Sequence, residues 1–429
     1  MQILFSLSVA LLAGLLLSRL AKLAKLPAVT AYLVAGILVG PYVLGQFGVS
    51  GLGFTDMADV KFYSLVSDVA LGFIAFSIGN EFRLGQLKKT GRQATIIGIF
   101  QAVITTLLVD AILIGLHFLM PDKLPLASAI VLGAVASATA PAATLMVVRQ
   151  YKAKGPLTDI LLPIVALDDA VGLVLFATSF GVAKAMLSGS ISIISILVEP
   201  LLEVILSLLL GFLMGLLFTF CEKFFHSRSK RLSISVAFVF LTVALSMLKF
   251  EIFGIHIAFS SLLVCMMLGT VFCNICDFSE ELMDRLDRWT APLFILFFVI
   301  SGAELELSVF TDIAIVIIGL VYILARSAGK YSGAFISAKA VQCDEHIVRY
   351  LGVTLLPQAG VALGMAIKSQ SLGAEGAIVA QITLFAVLIY ELIGPLLTKI
   401  ALTKAGEIKP EEKTCERHKF LAAKKSKQG

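Results

Sequence analysis

The sequence predicts an all-α, polytopic membrane protein of about 13 transmembrane helices, built as two inverted six-helix repeats with two crossing broken helices. Three observations carry this: an extreme apolar composition, basic residues confined to alternate loops, and two similar segments that must run in opposite directions. Hydrophobic residues make up 59% of the 429 residues and charged residues 15%. A soluble domain carries about 25% charge and about 45–50% apolar residues, so the bilayer is this chain's solvent. The formal charge of +5 resides in loops rather than on one face, which argues against a nucleic-acid partner.

A spanning helix needs about 20 mostly apolar residues. Thirteen runs qualify: 2–20, 28–45, 62–80, 92–119, 125–149, 157–185, 194–224, 231–248, 253–273, 288–303, 309–338, 345–369 and 374–402. The first has no basic segment before it and is expected to be a membrane helix, not a cleaved leader. Pro27, Pro121, Pro125 and Pro156 punctuate the connections. Residues 1–402 thus form one membrane domain, followed by a basic tail over 403–429.

Loops after odd-numbered runs hold most of the lysine and arginine, including Arg83, Lys88, Lys89 and Arg92, then Arg149, Lys152 and Lys154, then Lys223, Arg228, Lys230 and Arg231. Loops after even-numbered runs hold only Lys61, Lys123, Lys184, Lys249 and Lys368. The positive-inside rule places the N-terminus outside and the tail in the cytoplasm of a cell membrane, plasma or inner. One miscounted helix would invert this pattern halfway along the chain.

Phe73–Leu84 (FIAFSIGNEFRL) resembles Ile295–Leu307 (ILFFVISGAELEL). Each is an apolar run ending in glycine and an acidic exit. They close the third and tenth runs, an odd offset, so the copies are inverted. The repeats are expected over about 1–190 and 231–402, with the run 194–224 as linker. Inverted repeats mark secondary transporters whose site lies at midplane. The fifth run of each repeat is interrupted near its middle, by Ser137–Thr144 (SATAPAAT) and by Leu356–Gly364 (LPQAGVALG). A proline kink alone would explain either; their matching positions favour unwound, site-forming helices, with Ser137, Pro141, Pro357 and Gln358 lining the break.

Ionisable residues inside the membrane are costly and point to function. Asp168 and Asp169 lie about 18 Å into the sixth run, close to midplane. Adjacent side chains diverge by about 100° on a helix, so one acid can face a counter-charge and the other a cavity. Arg326 and Lys330, four residues apart on the eleventh run, supply the counter-charge. Arginine keeps its proton, whereas a buried lysine can lose it. The sequence leaves open which of the two meets Asp168. Asp68, Asp110, Glu199, Glu203 and Glu391 also sit in or near helices; most fall nearer a helix end and read as caps or interfacial groups, and His256 reads as a packed histidine of the ninth run. Six cysteines are expected as free thiols, and the lone pair Cys273 and Cys276 as packing residues rather than a zinc site. No nucleotide loop, dinucleotide fingerprint or HExxH motif is present, so no cofactor and no enzymatic activity are expected.

Taken in order, the Thr-Ala-Pro core at 139–141, ALDDAVG (Ala166–Gly172), LARSAGK (Leu324–Lys330), SIGNEF, ISGAEL and PQAGVALG resemble the monovalent cation/proton antiporter superfamily, and in particular bacterial sodium/proton antiporters with an Asp-Asp motif. The resemblance spans nearly the whole membrane domain. It implies that Asp169 carries a proton or a cation, Na+ or else K+ or Li+, and that Asp168 pairs with a basic residue of the eleventh run. It implies further that Thr139 and carbonyls of the broken helix line the site, that exchange is electrogenic, as in Asp-Asp members, and that the protein is a homodimer. By the resemblance, Arg326 stands at the family's usual basic position, which Asp-Asp members often fill with lysine; Lys330 lies one turn beyond.

Overall fold

The computed structural model of the chain describes all residues except 1, 25, 49–52, 81, 189–198, 226, 249, 253–254, 258, 277–278, 306–311 and 409–429. Nearly all of the predicted basic tail therefore lies outside the described residues. In chain order the helices are α1 (Gln2–Leu23), α2 (Ala28–Val39), α3 (Met57–Phe62), α4 (Ser64–Asn80), α5 (Leu84–Leu119), α6 (Leu126–Val135), α7 (Pro141–Gln150), α8 (Pro156–Ser188), α9 (Glu199–Glu222) and α10 (Arg228–Ser246). They continue as α11 (Ser261–Ile275), α12 (Ser279–Ala303), α13 (Ile313–Ala340), α14 (Glu345–Thr354), α15 (Gly360–Ser369) and α16 (Ala374–Lys404). Among the described residues, eight helices are long and apolar enough to cross a membrane. Four shorter apolar ones, α2, most of α4, α6 and α11, match further runs.

Each of the thirteen runs corresponds to a helix or a helix pair. The fifth run divides into α6 and α7, and the twelfth into α14 and α15, at the two interruptions read from the sequence. The ninth run starts later than expected. Phe250–Ile252 and Ile255–Ile257 pair as a short antiparallel hairpin, with Glu251 opposite His256, and α11 begins only at Ser261. His256 therefore belongs to a strand, not a helix. Phe250, Ile252, Ile255 and Ile257 alternate with the polar Glu251 and His256, a pattern that favours the extended chain there, and Ser260 caps the true helix start by accepting from Leu263 N at 3.4 Å.

The helices form two groups. A panel of α1, α2, α4 and α9–α12 buries one apolar core, which includes Tyr32, Phe73, Phe76, Phe218, Phe272 and Phe298. The other group, α5–α8 and α13–α16, holds two further cores around Leu132, Phe176, Tyr322 and Phe385, and around Leu161, Ile164 and Leu351. Two close crossings stitch the panel. A Cβ on Gly302 of α12 would overlap the carbonyl of Leu33 on α2, and one on Gly36 would overlap that of Val299. Likewise a Cβ on Gly79 of α4 would overlap the Met266 carbonyl of α11, and one on Gly269 that of Phe76. Gly79 and Gly302 are the glycines that align in the two similar segments, and each meets a glycine-bearing partner in the same way.

The five cysteines among the described residues are free thiols. Cys273 Sγ lies against the carbonyls of Gly79, Phe82 and Thr270, a packing role.

Candidate functional site

The two broken helices cross. Residues 136–140 link α6 to α7, and 355–359 link α14 to α15. Ala140 N donates to Pro357 O at 2.8 Å, joining the unwound segments through the main chain. Pro141 opens α7, where its missing N–H costs nothing, and Gly394 of α16 packs directly on Pro357. A helix end leaves carbonyls without partners, and two such ends meet here inside the protein.

Arg326 meets that demand. Its Nε donates to Ala136 O at 3.0 Å, Nη1 to Leu356 O at 2.7 Å and Nη2 to Ala138 O at 2.6 Å. The guanidinium also lies 4.5 Å from the ring centre of Tyr390. Gln358 assists, donating to Val135 O at 2.9 Å and to the hydroxyl of Tyr322 at 3.1 Å. Ser137 turns its hydroxyl back on Ala134 O at 2.7 Å and offers only its carbonyl to the site.

Lys330 is the partner of Asp168. Nζ lies 2.6 Å from Asp168 Oδ2, 2.9 Å from Thr139 Oγ1 and 3.1 Å from Gln101 Oε1, and it also donates to Ser137 O. Four acceptors around three ammonium protons mean that at least one proton is shared. Thr139 and Gln101 both donate to the Asp168 carboxylate as well. Asp168, Arg326 and Lys330 are fully buried. The sequence's open choice resolves here: the lysine pairs with the acid, and the arginine serves the crossing.

Asp169 differs from its neighbour. It is 2% exposed, yet neither carboxylate oxygen has a hydrogen-bond partner. It stands on the α8 face that also carries Leu162 and Ala166, seven and three residues earlier. Both of these join the panel's core, so this face looks toward the boundary between the two helix groups. Asp168 and Lys330 cancel, and Arg326 answers the partial negative charge of two helix C-termini. Asp169 is left as the uncompensated acid of the cluster. A buried carboxylate in that condition demands a proton or a cation.

A cavity of about 1030 Å³ reaches toward this face from one end of the molecule, lined by Tyr32, Arg149, Asp159, Leu162, Asp287 and Phe294 among others. Arg149 of α7 and Asp287 of α12 form an ion pair across it at 2.6 Å.

The sequence pattern missed Gln101. It is the one amide within the apolar stretch of α5 from Ile96 to Leu108, a signal available in the sequence. Two acids read as helix-end groups lie elsewhere. Glu391 is buried in the middle of α16, and the Asp110 carboxylate lies against Gly133 of α6 with Oδ1 unpartnered.

A family model described as "Sodium/hydrogen exchanger, transmembrane" matches residues 7–404. The chain belongs to the sodium/hydrogen exchanger family. This makes it a multi-pass membrane transporter, not an enzyme. It is 23% identical over 368 residues to the Na(+)/H(+) antiporter NhaS4 of Synechocystis sp., covering 82% of this chain and 84% of that protein. Two structures of the sodium proton antiporter MjNhaP1 from Methanocaldococcus jannaschii share its fold. Their TM-scores are 0.65 and 0.73 at 18% and 16% identity, and the matches cover 95% and 94% of this chain and 99% and 98% of those chains. The exchanger fold thus accounts for the all-α architecture with its many apolar spans.

Proposed function

We propose that this exchanger trades Na+ for protons at Asp169, by alternating access and electrogenically. One observation carries the reading: Asp169 is buried beside a satisfied Asp168–Lys330 pair, yet both its oxygens lack partners. A single negative site of this kind is occupied by H+ or by Na+ but not by both, which is the requirement for antiport. Moving it empty is costly, so the carrier returns loaded. Asp168, Thr139 and the carbonyls of residues 136–140 complete the cation's oxygen shell once Lys330 releases Asp168. Ser137, Pro141, Pro357 and Gln358 hold the break open.

Electrogenic exchange needs a second titrating group. Lys330 fits, since an ammonium can give up its proton when sodium takes its place beside Asp168. Selection of Na+ over K+ or Li+ would follow from cavity size.

The repeats span about 1–190 and 231–402 with α9 between them, and the matched glycine crossings support this division. The site-bearing group would move against the panel, and the panel would join two copies as a homodimer. The N-terminus faces out, so the cavity opens to the cytoplasm; Arg149, Lys152 and Lys154 at its rim support that orientation.

The decisive experiment is transport in proteoliposomes. Asp169→Asn should fold and reconstitute but lose sodium-driven proton flux. Flux retained in that variant would overturn the assignment.

A further inference from the structure

Gln101 of α5 is fully buried and bonds to both members of the central ion pair. Its Nε2 donates to Asp168 Oδ1 and, at 3.2 Å, to the Gly98 carbonyl, while its Oε1 accepts from Lys330 Nζ at 3.1 Å. The amide has one workable orientation. Turned over, its oxygen would face a carboxylate and a carbonyl, and its NH2 would face an ammonium. An ionised carboxylate can only accept and an ammonium can only donate. An amide, with its donor and acceptor on two arms of one plane, serves both at once without adding charge.

Close packing of α5 against α13 holds the amide in place. A Cβ on Gly333 would lie 3.0 Å from Gln101 Cα and from its carbonyl oxygen, and one on Gly329 would lie 3.0 Å from Thr105 Cα. Small residues four apart let two membrane helices approach this closely. Lys330 stands between these two glycines, so the approach that they permit also brings the amide within reach of its ammonium. Thr105 Oγ1 donates to Gln101 O at 2.6 Å and ties the same turn of α5.

The two oxygens of Asp168 are held differently. Among the described residues, Lys330 and Thr139 both reach Oδ2, whereas Gln101 holds Oδ1. A cation that displaces Lys330 from Oδ2 therefore leaves the Oδ1 contact standing. We propose that Gln101 is a positioning residue for sodium binding: it keeps the Asp168 carboxylate turned toward Thr139 while Lys330 withdraws, so that an arriving Na+ meets an oxygen already in place. It acts through Asp168 and is not itself a ligand of the ion. This rests on the proposed function, in which Asp168 joins the cation's oxygen shell. Without the amide, the carboxylate is free to turn both oxygens to Lys330. Na+ then has to compete with a tighter pair and order the carboxylate itself.

The test is the Na+ dependence of exchange by the full-length protein in proteoliposomes, scaled to the amount of folded transporter. Gln101→Met fills nearly the same space and carries neither the donor nor the acceptor. Losing a hydrogen bond to an ionised group shifts an equilibrium by about tenfold or more, so KM for Na+ should rise about tenfold while kcat stays within about twofold. A role confined to folding would instead lower the yield and Tm and leave KM unchanged. Sodium-linked stabilisation of the purified protein, at ionic strength held constant with choline chloride, reads binding directly; in Gln101→Met the rise in Tm should need about tenfold more Na+. Gln101→Asn, the fallback if Gln101→Met does not purify folded, keeps an amide one methylene short of its partners and should move both readouts several-fold. The proposal is overturned if a folded variant keeps the wild-type KM, if the loss lies in kcat alone, or if the Na+ dependence of Tm does not move. Failure of the proposed function would register separately, as transport retained in Asp169→Asn.

Discussion

Lys330 Nζ lies 2.6 Å from Asp168 Oδ2, while Arg326, one turn earlier on the same helix, directs its guanidinium to three main-chain carbonyls. Only the lysine can exchange its proton, because a guanidinium keeps its charge in any protein setting. Lys330→Arg should therefore leave sodium/proton exchange measurable but remove its dependence on membrane potential. The larger head group also has to fit among Gln101, Thr139 and Ser137, so a rate loss of about tenfold, near 1.4 kcal/mol of barrier, is expected. Proteoliposomes clamped with potassium and valinomycin separate the outcomes; an unchanged voltage response would remove Lys330 from the proton count.

The same pair sets a stability prediction. Removing one partner of a buried ion pair strands the other charge and costs about 3–5 kcal/mol. Lys330→Met should lower Tm sharply, since Asp168 would keep only Gln101 and Thr139 as donors. Adding Asp168→Asn should restore most of that loss, because no buried charge then lacks a partner. A double variant no more stable than Lys330→Met alone would mean that the pair is not the main electrostatic contact of either residue.

Arg326→Lys tests the crossing itself. A single ammonium cannot span the carbonyls of Ala136, Ala138 and Leu356 together, and each buried carbonyl left unpaired costs about 1–3 kcal/mol. The variant should unfold at lower temperature. Its transport should fall as well, because these carbonyls fix the geometry of residues 136–140. Thermal unfolding followed by tryptophan emission of Trp289 would read the first effect; a wild-type Tm would contradict the role assigned to Arg326.

Much of this was legible in the sequence because membrane physics penalises exceptions. Asp168, Asp169, Arg326 and Lys330 stand out in apolar runs, and Pro141 and Pro357 interrupt helices at matching positions. Which base meets Asp168 was not legible. Arg326 and Lys330 share one face of α13, and only the height of the crossing along that face decides which of them meets carbonyls and which meets the carboxylate. Gln101 escaped notice because an amide carries no charge penalty strong enough to mark it. Glu391 was legible too: it stands near the middle of the run 374–402, where a cap or interfacial role does not fit, and α16 spans nearly the same residues. The hairpin at 250–257 was hidden by its apolarity, which does not separate short strands from helix segments.

Glu407 offers a test of how the end of α16 is fixed. Its carboxylate accepts from Leu157 N at 2.6 Å, Thr158 N at 2.8 Å and Thr158 Oγ1 at 2.6 Å, and its own carbonyl accepts from Lys154 N at 3.1 Å. It thus caps α8, the helix of Asp168 and Asp169, from 250 residues away in sequence. A carboxylate at a helix N-terminus satisfies otherwise unpaired N–H groups and complements the helix dipole. Gly155 lies so close that a Cβ there would meet the Glu407 side chain. Glu407→Ala should cost about 0.5–2 kcal/mol, the usual range for losing a cap. The loss should concentrate in the first turn of α8, where amide hydrogen exchange at residues 156–160 would speed up while the helix around Asp169 keeps its protection. Equal acceleration along all of α8 would mean that Glu407 holds the whole helix in place, not only its first turn.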